Sequence, residues 1–375
     1  MQKVLIISFS PIRNDPRVMR QIRLLESQYD LTVLGFGEKP DARCTFIPVR
    51  KKTLGPAAKF LRGVGLFLGA HETYYWAQGH VRAAAELLRE TDADLILAND
   101  LSALPLALKY ARGRPVIYDA HEYAPGEYAD ALKWRLTLGR MNRAFCAKYL
   151  KQTSSMLTVC QGIADEYARH YAVRPKVVHN APSLQHLSPA PLREGAIRMI
   201  HHGVASSVRK LEQMIEILNK LDDRFSLDLM LVEEDPGYME HLRQLAASNS
   251  RIRFVAPVPM PQICQRINDY DVGLYLLPPD NFNHQHALPN KFFEFVQARL
   301  AVAIGPSPEM AALVHRHGCG IVADSFEPAA LVRALSALDA RSLAALKLAS
   351  DAAAQLLCFE HEGKVIEDEI RALLK

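Results

Sequence analysis

Short, uninterrupted apolar runs alternate along the whole chain with longer segments whose apolar residues recur every three to four positions. Val4–Phe9, Leu31–Phe36, Leu95–Ala98, Val116–Tyr118 and Met156–Val159 predict strands in the first half. Ile197–His201, Leu227–Val232, Ile252–Val255, Val272–Leu276, Ala301–Ile304 and Gly320–Val322 predict strands in the second. Most runs are continuous rather than alternating, as strands buried on both faces in parallel sheets are. The helical stretches between them imply βαβ units and an α/β, doubly wound architecture. The first helix has a legible start, with Asp15 placed to cap, Pro16 at the first helical position, and Val18, Ile22 and Leu25 at helical spacing. Between the two groups of strands, residues 181–196 carry Pro182, Pro189, Pro191, Ser183 and Ser188 with no apolar period. The expected layout is a first domain over 1–180, a linker over 181–195, a second domain over 196–350 and a helical C-terminal segment over 351–375. Ligands are expected in a cleft at the carboxyl ends of the strands.

A length of 375 residues suits two domains of ordinary size. With 49% apolar and 23% charged residues the chain is neither disordered nor fibrous. No run of 18 apolar residues predicts a membrane span, and the N-terminus reads as a strand rather than a signal peptide. Six scattered cysteines without a C-x-x-C pair argue against a zinc site or a disulfide framework, and fit a cytoplasmic protein. The net charge of +4 hides an asymmetry: residues 1–180 hold 26 Lys and Arg against 17 Asp and Glu, and residues 181–375 hold 19 against 24. A basic first half suggests an anionic substrate or membrane surface, and chance asymmetry is the plainer alternative. No basic-aromatic cluster points to nucleic acid.

Four segments carry candidate chemistry. In Leu288-Pro289-Asn290-Lys291-Phe292-Phe293-Glu294, a helix starting near Pro289 or Asn290 would aim its free N–H groups at an anion. Lys291 in the first turn opposes the helix dipole, which a bound phosphate would explain. Glu294, one turn deeper, could accept two hydrogen bonds from a ribose diol; alternatively Lys291 is solvated and Glu294 pairs with it. In His201-His202-Gly203-Val204-Ala205-Ser206-Ser207-Val208-Arg209-Lys210, a strand ends in glycine, a helix begins near Ser207, and two cations could reach a diphosphate. Tyr118-Asp119-Ala120-His121-Glu122 sets ionisable residues at the end of a strand. The loop Ser10–Arg17 offers Arg13 and Arg17 as anion contacts, and Asn99-Asp100 faces the same cleft.

These runs resemble the GT-B glycosyltransferases, in particular the retaining family 4-like enzymes of bacterial polysaccharide assembly. The Leu-Pro-Asn-Lys-x-x-Glu run is the most specific match, the Asp-x-His-Glu run at 119–122 is similar, and so is Asn14-Asp15-Pro16-Arg17. The resemblance implies two Rossmann-like domains facing across a cleft. It implies a nucleotide-sugar donor held by Gly203, Arg209, Lys210, Asn290, Lys291, Glu294 and His286, and a catalytic His121 near the donor sugar. Arg13, Asn14, Asp100 and Glu122 would meet a glycan or lipid-linked acceptor. Asn180 would be a hinge residue. No cofactor or metal is expected, the nucleotide-sugar being substrate; the cations would stabilise the departing diphosphate, whose phosphate would help deprotonate the acceptor. The sequence departs from the family at three places. His286 stands where the first Glu of a Glu-x7-Glu pair belongs, Val204 stands for an arginine, and Val232-Glu233-Glu234-Asp235-Pro236 replaces a glycine turn. Glu309 is a further candidate beside the donor. A nucleotide-sugar 2-epimerase of the same fold and a non-catalytic two-domain sugar-binding protein are the alternatives.

From Lys133 to Lys151 there are six Lys and Arg and no acid, with Trp134, Leu138, Met141, Phe145 and Tyr149 at helical spacing. This reads either as a helix docking on an anionic membrane or as a core-packed helix with a basic outer face. Residues Ala57–Ala70 pose the same choice. The protein is therefore expected in the cytoplasm, with a peripheral place at the inner membrane face.

Overall fold

The computed structural model describes residues 1–50, 63–128 and 131–375 and gathers the apolar runs into two parallel sheets. The first contains β1 (Lys3–Pro11), β2 (Asp30–Phe36), β3 (Thr45–Pro48), β4 (Leu95–Asn99), β5 (Val116–Ala120), β6 (Ser155–Thr158) and β7 (Lys176–Val177), in the order β3-β2-β1-β4-β5-β6-β7. The second contains β8 (Ile197–Ala205), β9 (Phe225–Glu233), β10 (Ile252–Phe254), β11 (Val272–Tyr275), β12 (Ala301–Ile304) and β13 (Gly320–Val322), in the order β10-β9-β8-β11-β12-β13. The central strands are apolar on both faces because helices cover both; β4, β5, β11 and β12 are buried at every position. The sequence pattern missed β3 and β7. Both lie at sheet edges, where β3 is half-exposed and β7 is two residues long, so neither leaves an apolar run.

Asp15 caps the first helix, Pro16–Leu25, by accepting from the backbone N–H groups of Arg17 and Val18, both at 3.1 Å, and Val18, Ile22 and Leu25 are buried. In each sheet the strand order reverses beside the first strand, between β1 and β4 and between β8 and β11. Chain connections leave opposite faces there, and a crevice opens at the carboxyl ends.

The chain divides into two units, one of residues 1–179, 281–283 and 363–375, the other of 180–280 and 284–362. This layout differs from the expected one at two places. Residues 181–195 lack regular structure but are part of the second unit, because their backbone is tied down: Gln297 accepts from the Gln185 N–H at 2.9 Å and Arg299 donates to the Gln185 carbonyl at 2.6 Å. The end of the chain belongs to the first unit, where Glu369 pairs with Lys176 and Gln2 donates to the Leu374 carbonyl at 2.9 Å. Ala340–Leu373 is apolar and long enough for a membrane span, but it is two helices of 15 residues, Ala340–Ala354 and Phe359–Leu373. Each is about 22 Å long, short of a hydrocarbon core of about 30 Å.

The basic segment is also two helices, Leu132–Leu136 and Leu138–Tyr149, broken at Thr137. Met141, Phe145 and Tyr149 are buried, so the stripe of the longer helix faces the core. Leu132 and Leu136 are exposed beside Lys133 and Arg135. Of the other segment, 57–62 lies outside the described residues; Val64, Phe67 and Leu68 are exposed and Leu66 is buried.

Candidate functional site

In the second unit, β8 continues through Gly203 to Ala205 rather than ending at the glycine. A 3₁₀ turn, Ser207–Arg209, and a left-handed Lys210 follow, and the α-helix begins only at Glu212. Gly203 has φ +132°, and a Cβ there would lie 3.2 Å from Lys291 Nζ and 3.3 Å from Arg209 Nη1. The missing side chain is what lets two cations converge at this strand end.

The helix Asn290–Gln297 starts behind Pro289, as its sequence predicts. Its C-terminal end is tied to the rest of the unit. Gln297 Nε2 donates to the carbonyls of Ala354 and Leu357 at 2.7 and 3.0 Å, and buried Arg299 pairs with Asp351 at 2.6 Å. On its inner face Phe295 fills the space over Gly273, where a Cβ would come within 2.2 Å of the ring. The helix N-terminus and Lys291 are thereby fixed in place.

Lys291 is 5% exposed. Burial pushes its ammonium well below the usual lysine range, Arg209 pushes the same way, and Glu294 opposes. Its Nζ lies 3.3 Å from His201 Nε2 and 4.5 Å from the Tyr275 ring centre. His201 donates from Nδ1 to the Leu274 carbonyl at 2.9 Å, which leaves Nε2 as the acceptor for the lysine. Burial, and then Lys291, holds His201 well below its usual range, so the ring is neutral. His202 is also neutral: burial, then Lys291 and Arg209, hold it down to about 3, although Glu294 Oε2 is 3.4 Å from its Nε2. Glu294 is 8% exposed. Two buried neutral histidines, a disfavoured ammonium and an arginine form a cluster that an anion would stabilise.

Other predicted donor residues are placed differently. Lys210 is neutralised by Asp280 at 2.9 Å in an exposed ion pair. Asn290 is the first residue of the helix. His286 does not stand alone in place of the missing glutamate: its Nδ1 is 2.9 Å from Glu309 Oε1, and both side chains are largely buried. Glu309 lies in the first turn of the helix Pro308–His317.

In the first unit, the ends of β4 and β5 meet the first helix in a buried polar network. Arg17 grips Asp119 with two hydrogen bonds, 2.7 and 2.6 Å, and donates to the Val178 carbonyl at 2.8 Å. The expectation that Arg17 contacts an external anion is corrected: it is 6% exposed and its charge is spent on Asp119. Gln21 donates to Asp119 at 2.6 Å and exchanges hydrogen bonds with Asn99. His121 Nε2 is 3.0 Å from Asn99 Oδ1.

His121, Asp100, Glu122 and Glu127 line a cavity of about 520 Å³ whose apolar walls include Tyr74 and Trp134. Arg13 and Asn14 are not among its walls; Arg13 instead pairs with Glu38 at 2.8 Å on the surface, and Asn14 is exposed. The 3₁₀ turn Ile12–Asn14 turns both residues outward while burying Ile12. Glu122 accepts from Asn283 Nδ2 at 3.2 Å. Neither Glu127 nor Gln21 belongs to a motif in the sequence; the signals for this corner are the polar runs Asn99-Asp100 and Asp119–Glu122.

Burial, with Glu122 and Asp100 adding, raises Glu127 to about 7. An unfolded chain gives up this proton near the usual value of 4.5, so folding is disfavoured increasingly as pH rises from 4.5 to about 7. Glu127→Gln is expected to stabilise the fold by about 1–3 kcal/mol at pH 8 and to be neutral at pH 4. Urea unfolding at the two pH values checks this; equal effects at both would refute it.

The comparisons with known proteins follow the same lines. The chain superposes on Anabaena HepE in complex with UDP and glucose with a TM-score of 0.71 at 13% identity, covering 99% of this chain and 100% of that one. It superposes on sucrose-phosphate synthase from Thermosynechococcus elongatus with a TM-score of 0.74 at 13% identity, covering 100% and 99%. WaaG, a glycosyltransferase involved in lipopolysaccharide biosynthesis, gives 0.66 at 15% identity, covering 96% and 98%. No curated protein matches the chain in sequence. The fold these likenesses define is GT-B, two Rossmann-like units. Residues 17–186, a little under half of the chain, match the family model described as Glycosyltransferase Family 4.

Proposed function

We propose that the protein transfers a sugar from a nucleotide-sugar to a glycan or lipid-linked acceptor in bacterial surface polysaccharide synthesis, with retention of configuration and without a metal. The observation that carries the donor assignment is the convergence of Lys291 and Arg209 over Gly203, at the N-terminal end of the helix Asn290–Gln297. These cations and the helix N–H groups suit a diphosphate, and Glu294, one turn deeper, suits the ribose diol. The structural relative HepE binds UDP and glucose, which supports the same donor chemistry. In transfer, Lys291 and Arg209 stabilise charge on the departing diphosphate. The cavity of the first unit takes the acceptor, with Tyr74 and Trp134 offering faces for sugar rings and Asp100 and Glu122 accepting from hydroxyls. Exposed Val64, Phe67, Leu68, Leu132 and Leu136, with Arg140 donating to the Phe67 carbonyl and Lys133 and Arg135 nearby in sequence, suit peripheral contact with an anionic membrane carrying a lipid-linked acceptor.

Thermal-shift measurements against UDP, GDP, CMP and TDP test the donor site. One nucleotide at 100–1,000 times its dissociation constant is expected to stabilise the protein by roughly 2–4 kcal/mol, and Glu294→Ala to lose most of that gain. Absence of any shift would overturn the assignment.

A further inference from the structure

The buried polar network of the first unit has a fixed direction. It begins at Arg17, a donor that is always charged, and Asp119 accepts from it at 2.7 and 2.6 Å. Asp119 also accepts from Gln21 Nε2 at 2.6 Å, so the Gln21 amide can point only one way. Its Oε1 then accepts from Asn99 Nδ2 at 2.9 Å. This in turn leaves Asn99 Oδ1 facing His121 Nε2 at 3.0 Å. An amide oxygen only accepts, so Nε2 must carry a hydrogen. Asp119 Oδ2, 3.9 Å from Nε2, favours the same state.

The other ring nitrogen, Nδ1, lies 3.3 Å from Asp100 Oδ2, and the His121 backbone N–H donates to Asp100 Oδ1 at 3.3 Å. With Nε2 committed, two lone pairs would face each other across the Nδ1–Oδ2 contact unless one proton lies between them. Asp100 is held there by a backbone conformation that a non-glycine residue rarely adopts, φ +63°, at the start of the helix Asp100–Tyr110. Both side chains line the cavity.

We infer that Asp100 and His121 act as one unit sharing a single proton at the cavity wall, and that Gln21 and Asn99 are positioning residues that set which ring nitrogen faces Asp100. When the proton is present it bridges Nδ1 and Oδ2 and occupies both; when it is absent the unit presents a carboxylate and an imidazole lone pair as acceptors. A hydroxyl-bearing ligand meets different hydrogen-bond partners in the two states. Asp15, Glu122 and Glu127 add negative charge around Asp100 and favour the protonated state, while Arg17 is balanced by Asp119. The use of this switch in sugar transfer rests on the reading of the cavity as the acceptor side. The shared proton does not, since it follows from the contacts alone.

Nitrogen NMR of the histidine rings in the full chain, with His121→Gln to assign the signal, tests the proposal without substrate. The expected result is an Nε2 that carries a hydrogen and an Nδ1 signal of a nitrogen sharing one with a carboxylate. Asp100→Asn removes the carboxylate and is expected to move the Nδ1 signal to that of a ring nitrogen that shares no proton. Gln21→Met leaves the Arg17–Asp119 pair in place but frees the Asn99 amide to turn, and a mixture of the two ring tautomers is expected. A His121 with no hydrogen on Nε2, or an Nδ1 signal unmoved in Asp100→Asn, would overturn the proposal. A nucleotide that fails to bind would overturn the donor assignment and leave this one standing.

Discussion

Lys291→Met is expected to lower sugar transfer by about 10²–10³-fold, measured as kcat with the nucleotide-sugar that the binding screen selects. The basis is the place of the ammonium: 5% exposed, fixed by His201 Nε2 at 3.3 Å, and 3.2 Å from where a Gly203 Cβ would sit. A charge held in a dry site acts more strongly on a departing phosphate than one in water, and it needs no reorganisation when the bond breaks. The stability should move in the opposite direction. Burial and Arg209 both disfavour the ammonium, so a methionine of similar length is expected to leave Tm unchanged or raise it. A variant that loses activity and stability together would mean that Lys291 is structural.

The second large effect concerns the Arg17–Asp119 pair. Asp119→Ala is expected to destabilise the first unit by about 3–5 kcal/mol, because it leaves a buried guanidinium without its carboxylate. The two side chains are 7% and 0% exposed, and the bonds join the first helix to β5, 102 residues apart in the chain. Replacing both partners with apolar residues should cost less than the sum of the single changes, which a double-mutant cycle in urea would show. The pair also sets an acid limit. Burial pushes the Asp119 carboxyl up, but the charge and hydrogen bonds of Arg17 outweigh it and hold the group below its usual value of 3.8. Its stabilising contribution is therefore complete above the unfolded value and is lost as pH falls below that value toward the folded one. An Asp119→Ala protein as stable as the parent would show that the pair is dispensable.

The arrangement of these two regions explains why the protein keeps so many ionisable groups out of water. In the second unit Lys291 and Arg209 are gathered at the Gly203 strand end, where the proposed diphosphate would bind. In the first, a buried ion pair and two amides hold one histidine ring at a cavity rich in carboxylates. The excess of positive charge over residues 1–180 suggested an anionic partner for the first unit as a whole, but the charge near its cavity is acidic, from Asp100, Glu122 and Glu127. The basic residues lie elsewhere, on the helices Leu132–Leu136 and Leu138–Tyr149 and at ion pairs such as Arg13–Glu38 and Lys148–Glu72.

Read by itself, the sequence determined the α/β class, both parallel sheets, the start of the first helix at Asp15-Pro16 and the start of the later helix at Pro289-Asn290. Each of these is written locally: a continuous apolar run marks a strand buried on both faces, and a cap followed by proline marks a helix start. The edge strands β3 and β7 escaped because half-exposed strands need no apolar run. Only the tertiary structure decided the partners. Arg17 looked available from its loop and is spent on Asp119; His286 looked like a lost glutamate and sits against Glu309, 23 residues on. His201, unremarkable as a strand residue, becomes the acceptor for a lysine 90 residues away. Such pairings join side chains from distant strands and helices, and the same burial that makes them strong shifts the titration of Lys291 and Glu127. Periodicity records which face of an element is buried, while the identity of the group across the gap is fixed by sheet order and helix packing, which no local pattern encodes.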